Sequence, residues 1–208
     1  MNIKHSCSCS TIARLFSGRG IGMLVLLLPF IIGILFANHG IEGNIDAKSE
    51  YKFKAVYLFN FLQFIEWSPE AFQTSKSPII IGILGDDPFR GTLEQTLEHE
   101  TINGRTIQIQ RMNNIEKIKN CHLVFIPKSE RAQLDVLFSN FKNKNLLTIS
   151  EIEGFAERGG CINFFIEDNK LRFEINVDAV HDAGLQVSSK LLRLAKVVST
   201  KSRESERE

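Results

Sequence analysis

The spacing of apolar and polar positions divides the chain into one long helical pattern followed by strands and helices in turn. From residue 49 to residue 67 the sequence SEYKFKAVYLFNFLQFIEW has no Gly or Pro and stops at Ser68-Pro69, where helices commonly end. At about 100° per residue, Tyr51, Leu58, Phe61 and Ile65 share an apolar face opposite Lys52, Asn60, Gln63 and Glu66. Val56, Phe59 and Trp67 fall on that opposite side as well, so the helix is apolar nearly all round and is expected to be covered by its own chain or by a partner. Lys54 falls within the apolar face, beside Leu58 and Phe61. Its ammonium either snorkels to the surface or meets a buried carboxylate. The carboxylate expected there is Glu174, which strand alternation places with Arg172 and Asn176, opposite Phe173 and Ile175.

Downstream the period changes. Pro78 leads into IIIGILG, an unbroken apolar run of the kind buried on both faces of a sheet. A helix from Pro88 to Glu100, the Asn103-Gly104 turn, the strand RTIQIQRM and a short helical stretch from Asn114 to Lys119 follow. Then come the strand HLVFIP, a helix from Ser129 to Phe141 and the strand LLTIS. CINFFIED and KLRFEINV flank Asp168-Asn169, a hairpin signal. Val187 to Val198 reads as a last helix with Leu191, Leu194, Val197 and Val198 on one stripe. Strands separated by helices imply right-handed crossovers. The expected fold is an α/β three-layer sandwich with a mostly parallel sheet, helices on both faces and an antiparallel edge hairpin.

The N-terminal region stands apart. Residues 1–37 carry Lys4, Arg14 and Arg19 and no acid, and the apolar run from Ile21 to Phe36 is broken by Gly22, Pro29 and Gly33. That run is shorter than the roughly 20 residues of a spanning helix. It reads as an export signal cleaved after Ala37; an uncleaved N-terminal anchor is the alternative, because Leu35 stands where a smaller residue is preferred. The expected organisation is a signal or anchor at 1–37, a linker at 38–47, the α/β domain at 48–198 and a polar tail at 199–208.

Composition excludes more than it assigns. With 25 Lys plus Arg against 24 Asp plus Glu, the chain has no basic arm for nucleic acid. Cleavage would turn the formal charge of +1 into −2, since Lys4, Arg14 and Arg19 are lost. Cys7 and Cys9 lie in the export segment, leaving Cys121 and Cys161 as one disulfide or as two buried thiols. No zinc-type spacing is present, and His122, next to a strand, reads as a packed or exposed side chain rather than a ligand. No metal or cofactor is expected. In an open parallel sheet, ligands bind beyond the carboxyl ends of the strands, which nominates Asp86, Asp87, Lys128, Ser129, Ser150 and Glu151. Asp86-Asp87-Pro88 serves equally well as a turn and helix cap. A phospho-receiver would need an acceptor Asp where the third strand ends in Ile126-Pro127-Lys128-Ser129. Phosphate loops and a nucleophile elbow are missing, so the residues alone lead to an exported domain without a visible catalytic centre.

Seven ordered blocks between Glu50 and Val198 resemble the periplasmic YfiR-like family. They are Tyr51-x-x-Lys54-Ala55-x-x-Leu58-x-Asn60-Phe61-x-x-Phe64-x-x-Trp67, Gly85-Asp86-Asp87-Pro88-Phe89, Cys121-His122 and Leu147-Thr148-Ile149-Ser150. Gly159-Gly160-x-Ile162-Asn163-Phe164, Arg172-Phe173-Glu174-Ile175-Asn176 and Ala183-Gly184-Leu185-x-x-Ser188-Ser189-Lys190-Leu191-Leu192-x-Leu194-Ala195 complete the set. The resemblance implies a non-enzymatic periplasmic regulator. The best-known member binds the periplasmic sensing domain of a membrane diguanylate cyclase and represses it, lowering cyclic-di-GMP and biofilm formation, and others resemble companions of sensor kinases or receptors. Cys161 stands where the family often has Met, so that member's redox disulfides do not carry over whole. On this reading Val56, Phe59 and Trp67, or else Leu191, Leu194 and Val198, meet the membrane partner or a second copy of the chain. A periplasmic small-ligand sensor using the strand-end pocket is the alternative.

Overall fold

A computed structural model describes residues 47–141 and 145–200; the expected export segment, nearly all of the expected linker and most of the expected polar tail lie outside the described residues. Helix α1 (Ala47–Phe64) forms on the expected pattern, burying Lys54, Ala55, Leu58, Phe61 and Leu62 along one side. It ends before the expected Trp67. Ile65–Glu66 is extended (β1) and pairs antiparallel with Gln186–Val187 (β9), and the Phe64 carbonyl accepts the Ser188 N–H. Pairing with a distant segment thus takes up main-chain groups that another helical turn would have used.

The four expected strands are β2 (Ile79–Leu84), β4 (Arg105–Met112), β5 (Leu123–Ile126) and β6 (Leu147–Ser150), and the hairpin is β7 (Ile162–Glu167) and β8 (Lys170–Asn176). Short strands β3 (Thr101–Ile102) and β10 (Lys196–Val198) lie at the two edges, in the order β10-β8-β7-β6-β5-β2-β4-β3. The β3–β4 and β7–β8 pairs are antiparallel and the other pairs of this sheet parallel. Asn103-Gly104 and Asp168-Asn169 have positive φ at both positions, as tight hairpin turns matched to strand twist require.

The expected last helix is corrected to a single turn, α5 (Ser189–Leu192), followed by β10. The Ser188 hydroxyl accepts the Lys190 N–H at the start of that turn. Lys196, Val197 and Val198 then pair in parallel with Glu174, Ile175 and Asn176. Valines suit a strand, and the pairing covers main-chain groups that β8 would otherwise present at an open edge. The hairpin therefore sits one strand in from the edge, and the helical stripe of Leu191, Leu194 and Val198 does not form.

Alternation along the strands sorts two cores. Ile79, Ile81, Ile83, Leu123, Phe125, Leu147, Ile149, Ile162, Phe164, Phe173 and Ile175 pack with α1, α2 (Thr92–Leu97), α4 (Val177–Asp182) and α5. Leu84, Val124 and Ile126 pack on the other face with α3 (Leu134–Asn140), the 3-10 turn Ile115–Asn120, Ile152 and Phe155. These are the three layers of the α/β sandwich. Cys161 lies in the first core and Cys121 in the second, with the sheet between them, and both thiols are free. The disulfide is thereby excluded in favour of two buried thiols. Among the described residues, no helix is long and apolar enough to cross a membrane.

Candidate functional site

Strands β5 and β6 end side by side, which brings Lys128 and Glu151 together at the carboxyl edge of the sheet. The first turns of α1 lie against this edge. Lys54 is only 1% exposed, and its Nζ donates to the carboxylates of Glu151 and Glu50. The Tyr51 hydroxyl lies 3.0 and 3.1 Å from the two Glu151 oxygens, and the Lys128 N–H donates to Glu151 Oε1 at 3.2 Å. Nζ also sits 4.5 Å from the centroid of the Tyr51 ring. Burial, reinforced by the charge of Glu151, raises the Tyr51 pKa, so the phenol remains a donor.

The expected Lys54–Glu174 pair is therefore wrong. Phe173 and Ile175 face α1, so Glu174 between them points to the other side of the sheet. Glu151 follows β6, beyond the sheet, where alternation no longer dictates direction. Glu50 lies four residues before Lys54, one helical turn away, and that spacing was visible in the sequence.

The other strand-end candidates serve local structure. Asp87 Oδ1 accepts the Phe89 N–H at 2.8 Å, and Oδ2 pairs with Arg111 at 2.7 Å, while Asp86 is exposed. The Ser129 hydroxyl donates to Glu130 at 3.3 Å. Buried Ser150 donates to the Ile126 carbonyl and accepts the Ile152 N–H. A cavity of about 580 Å³ opens beside Glu151, bordered also by Lys54, Lys128, Asn163, Phe165, Glu174 and Lys196. Asp86, Asp87, Ser129 and Ser150 do not line it. On its far side Asn163 Nδ2 donates to Glu174 Oε1 at 3.2 Å, and Lys196 Nζ stands 3.6 Å from Glu174 Oε2. Sequence reasoning missed Asn163; its signal was strand alternation, which places it opposite Phe164.

At the other end of the strands His122 is packed. Its Nδ1 accepts the Ile80 N–H at 3.0 Å, which leaves Nε2 to donate to the Ala71 carbonyl at 3.2 Å. The ring stacks on Phe72 at 4.6 Å, and the Arg105 guanidinium lies 3.7 Å from the same Phe72 centroid. Burial lowers the His122 pKa, aided by the Arg105 charge and opposed by the bond to Ala71. Among the described residues, no group of three His, Cys, Asp or Glu is placed to hold a metal ion.

Of the expected partner-contact residues, Val56 and Leu194 are exposed. Phe59 and Trp67 are half-buried against the first core, and the Trp67 indole N–H donates to the Asn145 carbonyl at 3.0 Å. Leu191 is buried in that core and Val198 is half-buried in β10. Exposed Phe53 was missed, and Val197, expected on the last-helix stripe, is exposed on β10. Phe53 lies one turn before Tyr57, whose ring packs on Phe164 and Phe173.

None of the curated proteins matches the chain. Among solved structures it is similar to the ABC domain from Streptococcus pneumonia in complex with L-Trp, with 12% identity and a TM-score of 0.44. That match covers 58% of this chain and 55% of the other, so the chain spans about half the length of that protein. Residues 51–196, from the Tyr51 of the buried charge cluster to the Lys196 that opens β10, match the YfiR/HmsC-like family, and the chain belongs to it.

Proposed function

We propose that the chain is an exported, non-enzymatic regulator that binds the periplasmic sensing domain of an inner-membrane signalling protein, a diguanylate cyclase or a sensor kinase, and represses or modulates it. Membership of the YfiR/HmsC-like family carries this reading. The basic start and short apolar run before Ala37 support export, with a mature chain beginning near Asn38, an α/β domain at 48–198 and a polar tail. Phe53 and Val56 support a partner surface on α1: both are exposed on a helix whose inner face is already filled. Interfaces concentrate their energy in a few aromatic anchors, and Phe53 is the residue of that kind on this surface. A second copy of the chain is the other occupant to be tested.

The experiment captures the tagged full-length chain from detergent-solubilised membranes and identifies what is bound by mass spectrometry. The wild type is expected to retain a membrane protein with a cyclase or kinase domain, and the mass of the bait to read a start near Asn38. A Phe53→Ser/Val56→Ser variant is expected to lose the partner at an unchanged melting temperature. Retention by the variant would move the interface off α1. Failure of the wild type to retain any signalling protein would overturn the function.

A further inference from the structure

We propose that the outer edge of β4 is a docking site for an extended segment of another protein. The segment adds to the sheet as a strand with apolar side chains at alternate positions and a basic residue at the end beside Glu98 and Glu100. This inference does not rest on the regulatory reading. It starts from register: β2 pairs with β4 along residues 107–112, whereas β3 on the other side pairs only with Arg105 and Thr106. Upstream of β3 the chain leaves the edge, since His99 has a φ of 65° and the Glu100 N–H turns back to the Leu97 carbonyl. The Met112 carbonyl accepts the Gly85 N–H on the side of β2. Main-chain groups alternate in direction along a strand, so the N–H and C=O of Ile107, Ile109 and Arg111 point outward. Among the described residues no strand pairs with them. Such a row of donors and acceptors is a template for one more strand. Natural edges are often blunted by lysine, proline, a bulge or an inward charge, and residues 107–110 carry none of these.

The side chains select the strand. Ile107 and Ile109 face the first core but are only half-buried, and with Leu97 they line a groove of about 620 Å³ at the open edge. Apolar cross-strand neighbours on that face complete their burial. Gln108 and Gln110 are exposed on the opposite face, which suits hydroxyl side chains at the intervening positions. Three acids border the groove, Glu94, Glu98 and Glu100. Glu94 is engaged by Arg111 at 2.6 Å, and Arg111 is shared with Asp87. The excess negative charge is therefore that of Glu98 and Glu100, at the Ile107 end, where Glu98 has only the exposed His99 at 3.6 Å. Complementarity calls for a Lys or Arg in the entering strand. This edge lies at the other end of the sheet from β7 and β8, over which Tyr57 of α1 packs, and so is separate from the Phe53 and Val56 surface.

The probe is the blocked peptide Lys-Thr-Val-Thr-Val-Thr-Lys, with a basic residue at each end to allow either strand direction, titrated into the full-length chain at neutral pH and followed by NMR. Saturable binding is expected, with slower hydrogen exchange at the outward N–H groups of Ile107, Ile109 and Arg111 and no change at the inward ones of Gln108 and Gln110. Two N-methylated forms, one at the Val and one at the Thr residues, block opposite edges of the peptide. One of them should bind about tenfold or more weakly, and the other as the parent does. Glu98→Lys/Glu100→Lys should weaken the peptide about two- to fivefold and favour a form ending in Glu. No saturable binding by the wild type, or equal binding of both methylated forms, would overturn strand addition. Charge preference unchanged by the double variant would overturn the stated partner. A dimer of the chain itself that Ile109→Pro dissociates would overturn it in favour of a second copy, since that proline removes an outward N–H at an edge that tolerates it. The methylated peptides are compared on the wild type, so misfolding of a variant does not rescue the proposal.

Discussion

Lys54→Met removes the ammonium of the buried cluster while keeping an unbranched apolar stem in its place. Glu151 would retain the Tyr51 hydroxyl and the Lys128 N–H but lose its counter-charge. Glu50 has a side chain 20% exposed and can turn to water, so one carboxylate rather than two is left stranded. Breaking a buried ion pair costs about 3–5 kcal/mol, and the surviving donors place this case near the lower end, about 3 kcal/mol. For a domain of roughly 150 residues that corresponds to a fall of about 6–12 °C in Tm. Urea and thermal unfolding of the full-length chain at neutral pH measure it, with an unchanged urea slope showing that compactness is kept. Lys54→Met combined with Glu151→Gln should recover part of the loss, giving a coupling of at least about 1 kcal/mol. A single variant within about 0.5 kcal/mol of wild type, or strict additivity in the cycle, would refute the idea that this pair holds α1 to the sheet edge.

Two further outcomes follow from groups away from this cluster. Because the His122 pKa is lowered, the unfolded chain takes up a proton where the folded one does not, so its contribution to stability is whole above about pH 6.5 and shrinks as pH falls toward the folded value. His122→Gln should flatten the decline of the urea midpoint between about pH 7 and 5, and an unaltered slope would assign it to other groups. Burial pushes the Cys121 thiol up to about 11 and raises that of Cys161 as well. Alkylation at mildly alkaline pH with peptide mapping should therefore leave both unmodified until urea is added, and a Cys121–Cys161 linked peptide would contradict their separation by the sheet.

Where local pattern and tertiary environment agree, the elements were legible. The runs in β2, β5 and β6 are apolar without a break because both faces of the sheet are covered, and Asp168-Asn169 marks its hairpin through a conformation few other pairs adopt cheaply. Two C-terminal ends of helical patterns were not legible for one shared reason. SSKLLRLAKVV satisfies a helical spacing, yet its last residues lie beside the open edge of β8 and complete it. Ile65 and Glu66 fit the α1 pattern equally well, and pairing with Val187 and Gln186 draws them out. In both places the deciding partner lies far along the chain from the segment it converts, or on a strand whose exposure follows only from the assembled sheet.

The site was legible as an anomaly before it was legible as a structure. A lysine in the centre of an apolar helical face must find a carboxylate or escape to water, and burial of Lys54 at the sheet edge realises the first course. Its partner was misassigned although the rule that excludes Glu174 was already in use. Once Phe173 and Ile175 are given to the side of α1, alternation sends Glu174 through the sheet, and an acid for Lys54 has to come from the helix itself or from a loop beyond the strands. Glu50 and Glu151 meet those two conditions. The same alternation sets Glu174 against Asn163 across the hairpin on the far face, where the described chain supplies no donor to Asn163 Oδ1. The residue that cannot reach Lys54 is thus left, for the same geometric reason, to the Asn163 amide and the Lys196 ammonium.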